Sequence, residues 1–547
     1  MKKKLKALAI GMSLTCFLTA CSSAGKSSSS SDVGASKDSA DSSTSSQATM
    51  EPTTINIRIM NAFTNLDKIL EVYYDKVKDD PILSKITLNF SYVTGADYID
   101  KLSLAISAQE DYDLMFCGSW QGLNNYIQQG AFKDVLSYFN DDRFPGLKTA
   151  FPKEFLNAAK TGDALYSIPV AENFEDLRGV LYREDLRKKY NLPEITDLTT
   201  FRQYLDKMQE VKEKEGLVKV WSLTGQGFMT FLNPRFEAAQ HHVYNIDAAS
   251  NFFIALNEDD TKVIDAYVAG DDEEHYANFP APYNKDFIAE YYAQLPEWLQ
   301  YCNDDAATNK DAGSDCGLTI GLSAVTYSPL SLYSSTLNDL QQNVPNAELG
   351  FYIFDDDQRN FVKGAIVNGM MSNNFLVVPA WSKKTDAVMY FLNWLMSSRE
   401  NHDLFQYGIE GVHWKAIGDN AVEIPTLAED VKYTFPGYTM TWNPTYIRYN
   451  SKVLENDKIK AMYDYEYSKE AYTLSPLSGF YFDTTKIKTE VAAVKAVFSA
   501  AKFAYGAYGD KTIEMAKKFN ADARAAGLDT IRAELIKQVQ AFLDSKK

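Results

Sequence analysis

The chain has 547 residues, 45% of them hydrophobic and 13% aromatic, with a formal charge of −18. Such a composition folds, and after a leader and tether roughly 500 residues exceed one ordinary core, so two or more domains are expected. The acidity argues against nucleic acid, whose phosphates need clustered Lys and Arg, and against an anionic membrane as a partner of the folded body.

Lys2, Lys3, Lys4 and Lys6 precede the apolar or small run "ALAIGMSLTCFLTA" at 7–20. The run is shorter than the roughly 20 apolar residues that cross a bilayer core. A basic head, a short apolar run and small residues at its end form an export signal, residues 1–20, that is later removed. A buried N-terminal helix is the alternative, and the lysines and the serine tract argue against it. Of the 28 residues from Ser22 to Thr49, 13 are Ser, so residues 21–50 are expected to form a flexible tether. No later segment approaches 18 consecutive apolar residues, so no transmembrane helix is expected.

"TTINIRIM" (53–60) alternates through Ile55, Ile57 and Ile59, which is strand period. "NLDKILEVYYDKVKDD" (65–80) carries a helical stripe, "ITLNFSYV" (86–93) alternates again, and "DYIDKLSLAISAQ" (97–109) returns to helix. "DLMF" (113–116) is a short buried strand, followed by a helix at 120–130 closed by Gly130. This β-α-β-α-β-α order predicts a parallel sheet flanked by helices.

The middle, about 168–360, is mixed. A strand runs into a helix over 178–193, and a capped helix spans 198–216. "CGLTIGLSAV" (316–325) and "ELGFYIF" (348–354) are expected strands. The acidic stretches 257–286 and 303–315 are expected to be surface insertions. "NNFLVVPAW" (373–381) is a strand, 384–398 and 400–408 are helices, and 486–543 is helical nearly throughout.

Enzyme signatures are missing. "GQGFMT" has Thr230 where a dinucleotide loop needs its third glycine, and "GSDCG" has Asp315 at the nucleophile position of GxSxG. His241 and His242 are adjacent, but two solvated histidines account for them better than a metal site. The acidic runs lack calcium-loop spacing. No metal or cofactor is expected. Acid pairs are too many to exclude a two-carboxylate glycosidase by motif alone. Cys302 and Cys316 either pair across a short loop or stay buried thiols. Aromatics at loop positions carry the more specific signal: Trp120 after a strand end, Trp414 between glycines, Trp442 in a turn. Open α/β sheets bind ligands outside the carboxyl ends of their strands.

Two resemblances add to this. "LTAC" (18–21) resembles the lipobox of bacterial lipoproteins, which implies a diacylglyceryl group on Cys21, the first mature residue. The segments "DLMFCGSWQGLNNYIQQGAFKDV", "ALYSIPVAENFEDLRGVLYREDL", "CGLTIGLSAVTYS" and "FLVVPAWSKKTDAVMYFLNWLMSSRENHDLFQYGIEGVHW" resemble, in their order and spacing, the family 1 extracellular solute-binding proteins of ABC sugar importers. The resemblance implies two α/β lobes with hinge crossings and a helical C-terminus: 51–167 with 366–430 as one lobe, 168–365 with 431–547 as the other. It implies ligand contacts at Ser119, Trp120, Glu172, Asn173, Gln226, Phe228, Tyr327 and Tyr481. Trp414 and Trp442 join them on chemistry, because the flat C–H faces of sugars suit aromatic rings. The implied protein is a lipid-anchored monomer on the outer face of a bacterial membrane. Its partners are an oligosaccharide and the permease subunits of an importer. A surface glycoside hydrolase, or a binder of peptides or other solutes, is the alternative.

Overall fold

The computed structural model describes residues 50–546 except 172, 175–176, 224–227, 229–230, 304–316 and 370–371. The two alternating stretches near the start pair in parallel along their full length, Thr53 opposite Ile86 and Met60 opposite Val93. Leu114–Phe116 joins the other edge, again parallel. Parallel neighbours need a crossover, and the helices Leu66–Val77 and Gly95–Ala108 supply it. Ile55, Ile57 and Ile59 are fully buried, as their alternation predicts. Two later segments complete this sheet in antiparallel fashion: Phe375–Val377 beside Leu114–Phe116, then Ile168–Pro169.

A second sheet lies in the order Leu349–Ile353, Arg178–Arg183, Val325–Pro329, Trp221–Ser222. Its core is aromatic: Trp221, Phe231 and Trp298 meet edge to face around Phe201. A third sheet, Val243–Asp247, Asn251–Leu256 and Val263–Tyr267, is an antiparallel meander. Alternate residues of its middle strand serve two cores. Phe252, Ile254 and Leu256 pack with Leu528, Leu535 and Val539 of the C-terminal helix Leu528–Ser545. Phe253 and Ala255 pack with Tyr267 and Phe287 on the other face.

Two expectations are corrected. Residues 257–286 are no surface insertion: they hold a strand of the third sheet, and Asp271 is buried. Among 316–325, residues 317–320 form a turn, because Gly317 and Gly321 take positive φ (118° and 74°), and the strand starts only at Val325. The acidic stretch 304–315 and Cys316 lie outside the described residues, and Cys302 is a free thiol. The first core takes in Ile168, Val170, Tyr433 and Met440, whereas Ile366–Asn368 pairs with Tyr472–Leu474 in the second lobe. Residues 1–49, with the expected signal, Cys21 and nearly all of the expected tether, lie outside the described residues. No described helix is long and apolar enough to cross a membrane.

Candidate functional site

The strand Leu114–Phe116 ends at Cys117–Gly118, and the chain turns there into a 3₁₀ turn, Ser119–Gln121. The turn is fixed by its neighbours. Ser119 N–H donates to the Asn373 carbonyl (2.9 Å), and the Gln121 side chain accepts from Gly118 N–H (2.8 Å). Gly118 is needed there, since a Cβ would run into the Trp120 indole. The indole leans on Phe116 (centroids 6.3 Å apart), donates from Nε1 to Asn374 (3.3 Å), and leaves half its surface open. Trp120 thus presents a face that its own core does not cover.

That face borders a cavity of about 1030 Å³. The first lobe contributes Ser119, Trp120 and the amides Asn124, Asn125 and Asn373. Opposite stand Tyr244 and Asp247 of the third sheet, and Tyr481 and Lys495 of the C-terminal segment. Tyr481 hydroxyl donates to Asn125 Oδ1 (2.8 Å) and so joins the two walls. Burial, with Asp483 nearby, raises the Tyr481 phenol, so it stays a neutral donor. Asp247 opens to the cavity, yet enough protein surrounds it that desolvation raises its carboxyl, against the pull of the Lys495 charge. Amides, hydroxyls and aromatic faces converge here, and no described cluster of three His, Cys, Asp or Glu is placed to hold a metal.

Comparison with known proteins gives the family. The family model described as bacterial extracellular solute-binding protein matches residues 78–412. The chain belongs to this family. It is a solute-binding protein and not a hydrolase, which decides between the two classes that the acid pairs left open. Residues 476–544 match a second model, a domain of unknown function. A carbohydrate ABC transporter substrate-binding protein of Streptococcus pneumoniae serotype 4 is 24% identical over 490 residues, covering 88% of this chain and 89% of the relative. The N-glycan transport solute binding protein of Streptococcus pneumoniae, solved with Man1GlcNAc, superposes with a TM-score of 0.64 at 20% identity, over 90% of this chain and 99% of that one. The Streptococcus pneumoniae substrate binding protein solved with kestose gives 0.55 at 12% identity, over 90% and 99%. These likenesses show the two-lobed α/β fold of solute-binding proteins.

Within this solute-binding protein the expected contacts scatter. Ser119, Trp120 and Tyr481 line the cavity. Glu172 and Gln226 lie outside the described residues. Asn173 is half-buried beside the crossing and is not part of the wall. Phe228 lies in the core: it is 1% exposed, its ring meets Trp221 edge to face (5.5 Å), and its N–H donates to the Ala504 carbonyl. Tyr327 sits on a strand of the second sheet, opposite Val180, and its hydroxyl accepts from Arg178 (2.9 Å). Trp414 is buried, donates to the Gly408 carbonyl (2.9 Å) and is capped by the Arg448 guanidinium. It lines a separate cavity of about 310 Å³. Trp442 packs against the first core with its edge toward Tyr438. Sequence reasoning missed Asn125, Tyr244, Asp247 and Lys495. A lone acid at a strand end and a lone lysine on a helix give no pattern that separates a ligand contact from a solvated surface.

Proposed function

We infer that this extracellular protein captures an oligosaccharide in the cavity behind Trp120 and delivers it to the permease of an ABC importer. The half-open Trp120 face, set among Asn124, Asn125 and Asn373, is the observation that carries the reading. The ring offers a stacking surface for sugar C–H groups, and the amides offer both donors and acceptors for hydroxyls. The volume suits a ligand of several rings better than one monosaccharide. The relative named as a carbohydrate transporter component supports the same chemistry. A lipid on Cys21 would hold the body, a monomer, at the cell surface through the serine-rich tether, since two acyl chains anchor stably where one does not. Calorimetry with a panel of neutral oligosaccharides tests the capture: binding to at least one, with the sugar recovered uncleaved by chromatography, is expected. A chain that binds peptides and none of the sugars would overturn the reading.

A further inference from the structure

One corner of the cavity holds two opposite charges. Asp247 ends the strand Val243–Asp247, and Lys495 lies on the helix Lys488–Ser499, inside the domain of unknown function. Both line the cavity. Neither has a hydrogen-bond or ion-pair partner among the described residues, and of the charged residues on these two elements they are the pair that lines the cavity. In the empty cleft water solvates them. A ligand that displaces this water must replace its hydrogen bonds, or the unmet groups penalise binding. A carboxylate accepts from two adjacent hydroxyls, and an ammonium group donates to hydroxyl or ring oxygens. The two charges cancel at this corner, so an anionic sugar gains from one and is repelled by the other. Arg235 borders the same cavity but interacts with other protein groups.

We propose that Asp247 and Lys495 form the specificity-determining contact of the second wall, reading two adjacent hydroxyls on one ring of an uncharged oligosaccharide. The C-terminal segment 476–544 is then part of the ligand site. The proposal rests on the carbohydrate reading above and names the ligand class more narrowly. The full chain and its Asp247→Asn and Lys495→Met variants are titrated calorimetrically with Man1GlcNAc, kestose and sialyllactose. The wild type is expected to favour a neutral sugar. Each variant is expected to lose tenfold or more in affinity with an unchanged melting temperature, because both side chains are open to the cavity. Acidification should weaken wild-type binding as Asp247 takes up a proton, and this dependence should vanish in Asp247→Asn. Variants that bind the neutral sugar as the wild type does would overturn the proposal and leave the carbohydrate reading standing. Tightest binding of sialyllactose, lost with Lys495, would overturn the neutral-ring assignment. A wild type that binds none of the three sugars would remove the proposal together with its premise.

Discussion

Trp120 and Trp414 were equivalent as sequence signals, each a tryptophan in a glycine-flanked loop, and the structure separates them. Trp120 spends its indole N–H on one long bond and keeps half its surface free, while Trp414 is 5% exposed under a guanidinium. Which side of a loop faces the core depends on segments distant in sequence, here Asn373 and Arg448, and no local pattern encodes it. Trp120→Ala is therefore expected to weaken sugar binding tenfold or more, about 1.4 kcal/mol or above, with little loss of melting temperature. A lower melting point with intact affinity would place the ring in the core instead. Asp355 gives a prediction on stability. Its carboxyl is buried, Oδ1 accepts from Gln358 N–H (2.8 Å), Oδ2 has no partner, and burial pushes its pKa up to about 6. The unfolded value lies near 4, so the native state binds the extra proton between about pH 4 and 6. Stability from this group is lost as pH rises through that window. Asp355→Asn keeps the acceptor and removes the charge. It is expected to stabilise the second lobe by about 1–2 kcal/mol at pH 8 and to change little at pH 4, read from denaturant midpoints at both pH values.

Among elements, legibility followed burial. The strands at 53–60 and 86–93 alternate because at least one face meets polar surroundings, and they were visible at once. The hairpin 243–256 is buried on both faces along "FFIAL", so alternation is lost and the third sheet could not be read from its sequence. The same blindness made 257–286 look like an insertion. Its acids are not all surface charges. Asp271 accepts two hydrogen bonds from Arg532 Nη2 (2.7 and 2.8 Å), one from Asn520 (2.8 Å) and one from Val268 N–H (2.7 Å). This cluster pins the C-terminal helices to the third sheet and so holds the Lys495 helix at the cavity. Removing one member of a buried pair leaves the other uncompensated, which costs about 3–5 kcal/mol. Arg532→Ala is expected to lower the melting temperature and, because the wall is loosened, to weaken ligand binding as well. Unchanged hydrogen exchange in 476–544 would show that the ion pair does not hold this segment.

At the scale of the whole molecule, the connections between lobes are short and adjacent. Phe174, in the first crossing, stacks on Phe155 of the first lobe (4.2 Å) and meets Tyr472 of the second edge to face (5.6 Å). Its carbonyl accepts from the Asn368 side chain, which precedes the return crossing (3.1 Å). In two-lobed proteins that close by hinge motion, a few connecting residues take up the dihedral change. Among the described residues, the Tyr481 hydroxyl bonded to Asn125 bridges the cavity walls. One exposed hydrogen bond contributes about 0.5–1.5 kcal/mol, roughly a two- to tenfold bias in population, too little to lock the lobes and enough to shift how often they meet. Ligand contacts made by both walls must supply the rest. Tyr481→Phe removes the hydroxyl and keeps the ring, so the empty variant is expected to open more often. Small-angle scattering should then give it a larger radius of gyration than the empty wild type, while saturating sugar brings both to the same compact value. Its dissociation rate should rise by the same two- to tenfold factor. If all four curves superimpose, the lobes do not move and the cleft is a fixed site filled without closure.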